Sequence, residues 1–237
     1  MITQSLAAYL PIDRCHALVD GSELPSRNAG AVLFADISGF TPLTNSLARE
    51  LGPQRGAEEL SRQLNAIYTA LVADVQRYHG SVIGFAGDAI TCWFGDLPGG
   101  ADGAADRALA CALDMQGQMA SFASLHTPAG TIVSLAMKVS VTYGPVRRFL
   151  IGDPQIQLID ALAGRTVDRM IAGEHVAQKG EVIISTEVLG ALRAAPEIVG
   201  WRAGEEEGQR FAVVGALGAP VGQAPWPPIS YEALDVE

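Results

Sequence analysis

Lysine is almost missing from this chain. Only Lys138 and Lys179 occur among its 237 residues, so the first 137 hold none. Arginine does not restore the balance: 16 Lys and Arg stand against 26 Asp and Glu, for a net charge of −10. General nucleic-acid binding needs a basic footprint on the phosphate backbone, and this balance argues against it. A small anionic substrate is not excluded, because a metal ion can carry the positive charge at one point. Cysteine is scarce too. Cys15, Cys92 and Cys111 are odd in number and lack metal-type spacing, so they read as reduced thiols. His16, His79, His126 and His175 show no paired-ligand spacing and read as core or surface residues. No apolar stretch approaches the length of a membrane span, so no membrane association is expected. Met1-Ile-Thr-Gln-Ser lacks the basic n-region of a signal peptide, and the expected location is the cytoplasm.

What the chain does have is core-forming material. A hydrophobic content of 49% with 18% charged residues describes a globular protein with a substantial interior. Residues 2–10 read as a short helix halted by Pro11, and residues 20–30 are rich in turn formers. Residues 31–37 are a short apolar run bounded by turn residues, which predicts a buried strand. Thr41-Pro42 resembles a helix start, with threonine as cap and proline first in the helix. After Pro53, Leu60, Leu64, Ile67, Leu71, Val75 and Tyr78 recur at steps of three and four, the stripe of a long amphipathic helix. Strands are expected at about 81–86 and 89–94 around Gly87-Asp88, and a helix over roughly 102–125. Alternation in 132–142 predicts a strand with Lys138 on its polar face. Gly144-Pro145 is expected to turn the chain into a second strand near 146–151. A helix near 161–177, a strand at 181–184, a short helix from 186 and a last strand pair near 197–202 and 210–215 complete the order. The pattern predicts an α+β fold with helices packed on a sheet. Gly218 to Glu237 holds four prolines and reads as an extended tail or linker.

Two aspartates carry the chemistry. Asp36 ends the apolar run Ala31-Val-Leu-Phe-Ala-Asp36, and Asp88 sits at the tip of the predicted hairpin. A carboxylate at a strand end is costly unless water, a donor or a metal satisfies it. Two on neighbouring strands would suit a hard cation, because magnesium and manganese prefer oxygen ligands. Either alone could be a helix cap or an ordinary turn residue. Gly39, Phe40 and Thr41 follow at a predicted helix N-terminus, where backbone N–H groups favour phosphate oxygens.

Phe34-Ala-Asp36-Ile-Ser-Gly-Phe-Thr41 and Phe85-Ala-Gly-Asp88-Ala resemble the two metal-site motifs of class III nucleotidyl cyclases. The closest likeness is to the first catalytic domain of soluble, bicarbonate-responsive adenylyl cyclases, over about residues 6 to 190. The resemblance implies a ferredoxin-like βαββαβ core with a mostly antiparallel sheet. It divides the chain into a lead-in segment at 1–30, a catalytic-type domain at 31–217 and the proline-rich tail at 218–237. It implies two divalent ions, Mg²⁺ or Mn²⁺, held by Asp36, Asp88 and the backbone carbonyl of Ile37. Lys138 matches a family lysine that contacts the terminal phosphates. The implied reaction converts ATP to cyclic AMP and pyrophosphate.

Sites of this family form between two domains, and one half is missing here. Gly84 stands at the base-reading lysine position, Asp168 at the asparagine position and Ala172 at the arginine position; Arg169 lies close in sequence. The resemblance therefore implies a partner, a second cyclase domain in the same longer chain or another subunit, and little activity without it. Gly84 also replaces a lysine of the bicarbonate site, so weak or absent bicarbonate stimulation is expected. The competing reading is a catalytically inactive regulatory or nucleotide-sensing module with the same fold.

Overall fold

A computed structural model describes residues 9–97, 100 and 102–229. The helix expected over 2–10 lies, up to residue 8, outside the described residues. Helix α1 (Ile12–Val19) begins directly after Pro11 and was not foreseen. Strand β1 (Arg27–Ser38) is longer at its start than the apolar run. Helices α2 (Phe40–Leu51) and α3 (Pro53–Arg77) follow, then the hairpin β2 (Ser81–Ala86) and β3 (Ala89–Gly95). Helix α4 (Ala104–Met119) leads to a small pair, β4 (Leu125–His126) and β5 (Ile132–Val133). Next come β6 (Ala136–Asp153), β7 (Gln157–Ala163), α5 (Arg165–Val176), β8 (Val182–Ser185), α6 (Thr186–Ala191), β9 (Glu197–Ala203) and β10 (Arg210–Ala216).

The main sheet has the order β2-β3-β1-β6-β8-β10-β9, with β7 beside the outer half of β6. Among the described strands, only β6 and β8 pair in parallel. The segment β2-β3-β1-β6, with α2 and α3 in one crossover and α4 in the other, is the βαββαβ core that the family resemblance implied. Residue parity splits the sheet. Ala31, Leu33, Ala35 and Ile37 of β1 pack with Ile67, Leu71 and Val75 of α3 and with Leu109 and Met115 of α4. Each such large side chain stabilises the fold by about 1.5–3 kcal/mol through removal from water. The opposite face is covered by α5, where Val32, Trp93, Val146 and Met170 form one cluster and Ile183, Phe211 and Val213 another. Asp36 shares the parity of Val32, so it lies on the α5 face and not in the main core.

Several local expectations differ from the structure: the strand expected over 132–142 is interrupted between Val133 and Ala136, residues 157–163 form β7 so that α5 starts only at Arg165, and two turn or cap signals fail. Gly144-Pro145 does not turn the chain. β1 runs alongside as far as Arg27, pairing Gly30 with Gly144 and Ala29 with Pro145, and keeps the segment extended. Glycine is needed there for space: a β-carbon at 144 would sit 2.8 Å from Thr166 Oγ1. The reversal comes between Asp153 and Gln157 instead. Helix α2 is capped by Gly39, not Thr41, and Pro42 falls third in the helix. Proline is tolerated there because first-turn N–H groups have no intrahelical acceptor.

A buried ionic network ties α1 to the sheet. Arg148 of β6 pairs with Asp13 and, at 2.7 Å, with Asp160 of β7, which also accepts from Arg14. Ser81 Oγ donates to Asp13 at 2.7 Å. Residues 218–229 have no helix or strand and lie against the domain. Trp226 stacks with both His16 and His79 and donates from Nε1 to the Gly80 carbonyl at 2.8 Å. Among the described residues, no helix is long and apolar enough to cross a membrane.

Candidate active site

The ladder of β1 brings the predicted residues together. Asp36 lies opposite Ala89 on one side and opposite Lys138 on the other. The next residue, Ile37, is fully buried, and its N–H donates to the backbone carbonyl of Asp88 at 3.2 Å. The hairpin tip is thereby tied to the end of β1. Gly87 takes a φ of 66° in that turn, and Asp88 is exposed. Lys138 Nζ is 3.6 Å from Asp36 Oδ2 and in closer contact with Glu174 Oε1 of α5.

Electrostatics express the same proximity. Burial raises the Asp36 carboxyl above the usual range; Lys138 opposes this, and the charges of Asp88 and Glu174 add to it. Burial disfavours the Lys138 charge, yet Glu174 and then Asp36 outweigh it and hold the ammonium above its ordinary range. Tyr68 of α3 lies at the same end of the sheet, edge-on to Phe85 at 5.1 Å between ring centroids. Its hydroxyl is buried and has no hydrogen-bond partner among the described residues. Burial, then Asp88 and Asp36, push that hydroxyl's ionisation up.

Gly39 caps α2 with φ 109° and ψ −2°, and no side chain caps the helix. A β-carbon there would sit 2.5 Å from the Ser134 carbonyl oxygen, so only glycine fits. The first N–H groups of α2, at Phe40 and Thr41, lie at the positive end of the helix dipole, three and four residues beyond Ile37. The donors expected from the sequence, the Asp36 and Asp88 carboxylates and the Ile37 carbonyl, are hard oxygens of the kind that Mg²⁺ or Mn²⁺ prefers. Among the described residues no group of three or more His, Cys, Asp or Glu could hold a metal ion by itself. Magnesium characteristically takes one or two carboxylates and completes its shell with water and substrate phosphate.

Residues 24–208 match the family model described as the adenylate and guanylate cyclase catalytic domain. The chain belongs to this family. Adenylate cyclase type 10 of Rattus norvegicus is 27% identical over 185 residues, which are 76% of this chain and 11% of that protein. The human protein of the same name gives 27% over the same coverage, and that of Oryctolagus cuniculus 26%. The chain thus spans about a tenth of the length of these curated relatives. Among solved structures, the adenylyl cyclase CyaB from P. aeruginosa superposes with a TM-score of 0.65 at 24% identity, covering 80% of this chain and 95% of that one. The guanylyl cyclase Cya2 gives 0.66 at 23%, covering 84% and 98%. The guanylate cyclase domain of RhGC from Catenaria anguillulae, in complex with GTP, gives 0.64 at 20%, covering 81% and 100%. These likenesses establish the class III cyclase fold.

Gly84 of β2 faces open space, with nothing within 4 Å of a built β-carbon. Ala172 packs beside Ile183, Phe211 and Val213. Arg169 is paired with Glu187 at 3.1 Å and is directed to α6 rather than to the carboxylates. A cavity of about 370 Å³ opens between the N-terminal segment, α3 and β2, next to Gly84 and Phe85. It is lined by none of the predicted site residues. Sequence reading missed Glu174. Its signal was present: Val167, Met170 and Glu174 follow the i, i+3, i+7 spacing of the inward face of α5. A carboxylate on that stripe needs a partner, and Lys138 is it.

Proposed function

We propose that this chain is the metal-binding half of an adenylate cyclase. It would convert ATP to cyclic AMP and pyrophosphate at an interface with a complementary cyclase domain. The observation that carries this reading is Asp36, joined through Ile37 to the Asp88 hairpin and facing Lys138 across the β1–β6 ladder. Asp36, Asp88 and the Ile37 carbonyl would hold two divalent ions, Mg²⁺ or Mn²⁺. Such ions lower the pKa of an attacking hydroxyl and neutralise charge on a leaving pyrophosphate. Lys138 would hold the terminal phosphates, and the Gly39–Thr41 backbone would cradle them at the start of α2. The residues that read the base and stabilise the developing charge would come from the partner. Loss of one such donor typically costs a hundredfold to a thousandfold in rate, so the chain alone should be nearly inactive. The adenylate preference is supported by the curated relatives, all named adenylate cyclase type 10.

The test is manganese-dependent binding of a non-cyclisable ATP analogue to wild type and Asp36→Asn, each with and without a complementary cyclase domain. The proposal expects binding that requires Mn²⁺ and Asp36, and cyclic AMP formation only in the mixed pair. Metal-independent binding that ignores Asp36 would instead leave a nucleotide-sensing module. Strong cyclisation by the isolated chain would refute the division of labour.

A further inference from the structure

Glu174 has no part in the scheme above, yet it makes the tightest contact that Lys138 has. The carboxylate touches the ammonium through Oε1, while its Oε2 lies 3.7 Å from His175 Nε2 at the exposed end of α5. The Glu174 side chain is only 16% exposed, so the pair is shielded from bulk water. We infer that Glu174 makes polyphosphate binding at this site conditional on divalent metal. This rests on the reading of Asp36, Asp88 and Lys138 as the metal and phosphate groups.

The argument is one of local charge. Two carboxylates, Asp36 and Glu174, contact a single ammonium, and the charge of a third, Asp88, acts on Asp36. A metal-free triphosphate would approach an excess of negative charge, and would find Lys138 held between Glu174 and Asp36. A divalent ion at Asp36 removes that carboxylate from competition for Lys138. An ammonium has three donors, so Lys138 can then turn one to phosphate while Glu174 keeps its hold on another. Glu174 thus disfavours the bare polyanion and favours the cation, which orders binding as metal first. At an effective dielectric of about 20, a unit charge roughly 6–12 Å from another changes affinity by on the order of tenfold to a hundredfold.

Glu174→Gln keeps the length and an acceptor oxygen for Lys138 but removes the charge. Glu174→Asp keeps the charge. Binding of inorganic triphosphate to the full chain is measured by calorimetry in EDTA and in excess Mn²⁺, and binding of Mn²⁺ alone is measured in parallel. Glu174→Gln is expected to bind triphosphate in EDTA at least about tenfold more tightly than wild type, and Mn²⁺ alone several-fold more weakly. Glu174→Asp is expected to follow wild type. No gain in EDTA for Glu174→Gln, or an equal gain for Glu174→Asp, overturns the inference; the second result would assign Glu174 to packing. Asp36→Asn separates this from the underlying reading. If it leaves Mn²⁺ binding unchanged, the metal site itself is wrong. If it abolishes Mn²⁺ binding while Glu174→Gln shows no gain, only the role of Glu174 fails. Thermal melting of each variant confirms that the comparison is between folded proteins.

Discussion

Three glycines near the site make a graded test of the backbone that builds it. Gly84 has an ordinary φ and open space around a built β-carbon. Gly84→Ala should therefore be neutral, or stabilising by about 0.4–1 kcal/mol, because alanine restricts the unfolded chain. Gly87 has the same open space but a φ of 66°. Gly87→Ala should cost about 1–2 kcal/mol for the left-handed backbone alone. Gly39 combines both penalties: φ is 109°, and a β-carbon would lie 2.5 Å from the Ser134 carbonyl oxygen and 2.9 Å from Leu135 Cδ2. The unfavourable φ costs about 1–3 kcal/mol, and forcing the β5–β6 connection away costs about 1–3 more. Gly39→Ala should thus lose roughly 2–6 kcal/mol. Urea unfolding followed by circular dichroism reads all three, and equal slopes would show that the unfolded states are comparable. The same variant should weaken Mn²⁺-dependent triphosphate binding, because relief of the clash moves the start of α2. A Gly39→Ala stability within about 0.5 kcal/mol of Gly84→Ala would refute the reasoning, since that is the usual spread for harmless surface changes.

Two further outcomes test the surrounding frame. Arg107 of α4 is 1% exposed and donates to the carbonyls of Tyr78, His79 and Gly95, closing the end of α3 onto β3. Arg107→Met should cost about 3 kcal/mol or more, because buried carbonyls left unpaired cost about 1–3 kcal/mol each; a melting temperature unchanged within about 2 °C would contradict it. At Asp160, burial favours the neutral acid, but Arg14 and Arg148 outweigh it and hold the carboxyl below the usual range. Its stabilising contribution is therefore present above the unfolded value of about 3.9 and lost as pH falls through the lower folded value. Urea midpoints between about pH 5 and pH 2 should fall steeply for wild type and less so for Asp160→Asn; parallel curves would show that the network around α1 is not what acid releases.

Much of this fold was readable because its signals are local. The stripe ending in Leu71 and Val75 gave α3, and alternation around Lys138 gave β6 with the correct face. Gly87-Asp88 between two apolar runs gave the hairpin. The failures have physical causes. Gly144-Pro145 carries a turn signal, but twelve paired positions along β1 hold the segment straight. Thr41-Pro42 resembles a cap, but Gly39 alone can take the backbone turn beside Ser134. Helix α1 has little inward stripe of its own and is held by Arg148 and Asp160, more than a hundred residues away in sequence.

By itself, the sequence determined which groups the proposed chemistry rests on: two carboxylates in motif settings, one rare lysine, and glycine, aspartate and alanine where the family resemblance expects other residues. Those are matters of residue type and near-neighbour spacing, and no packing can alter them. Only the tertiary structure decided which charges meet. Asp36 faces Lys138 because strands 100 residues apart pair in one register. Glu174 enters because α5 crosses that face of the sheet with its inward stripe at the same level. Register and helix placement are set by the burial of the whole core, so the electrostatic state of the site belongs to the assembled fold rather than to any one segment.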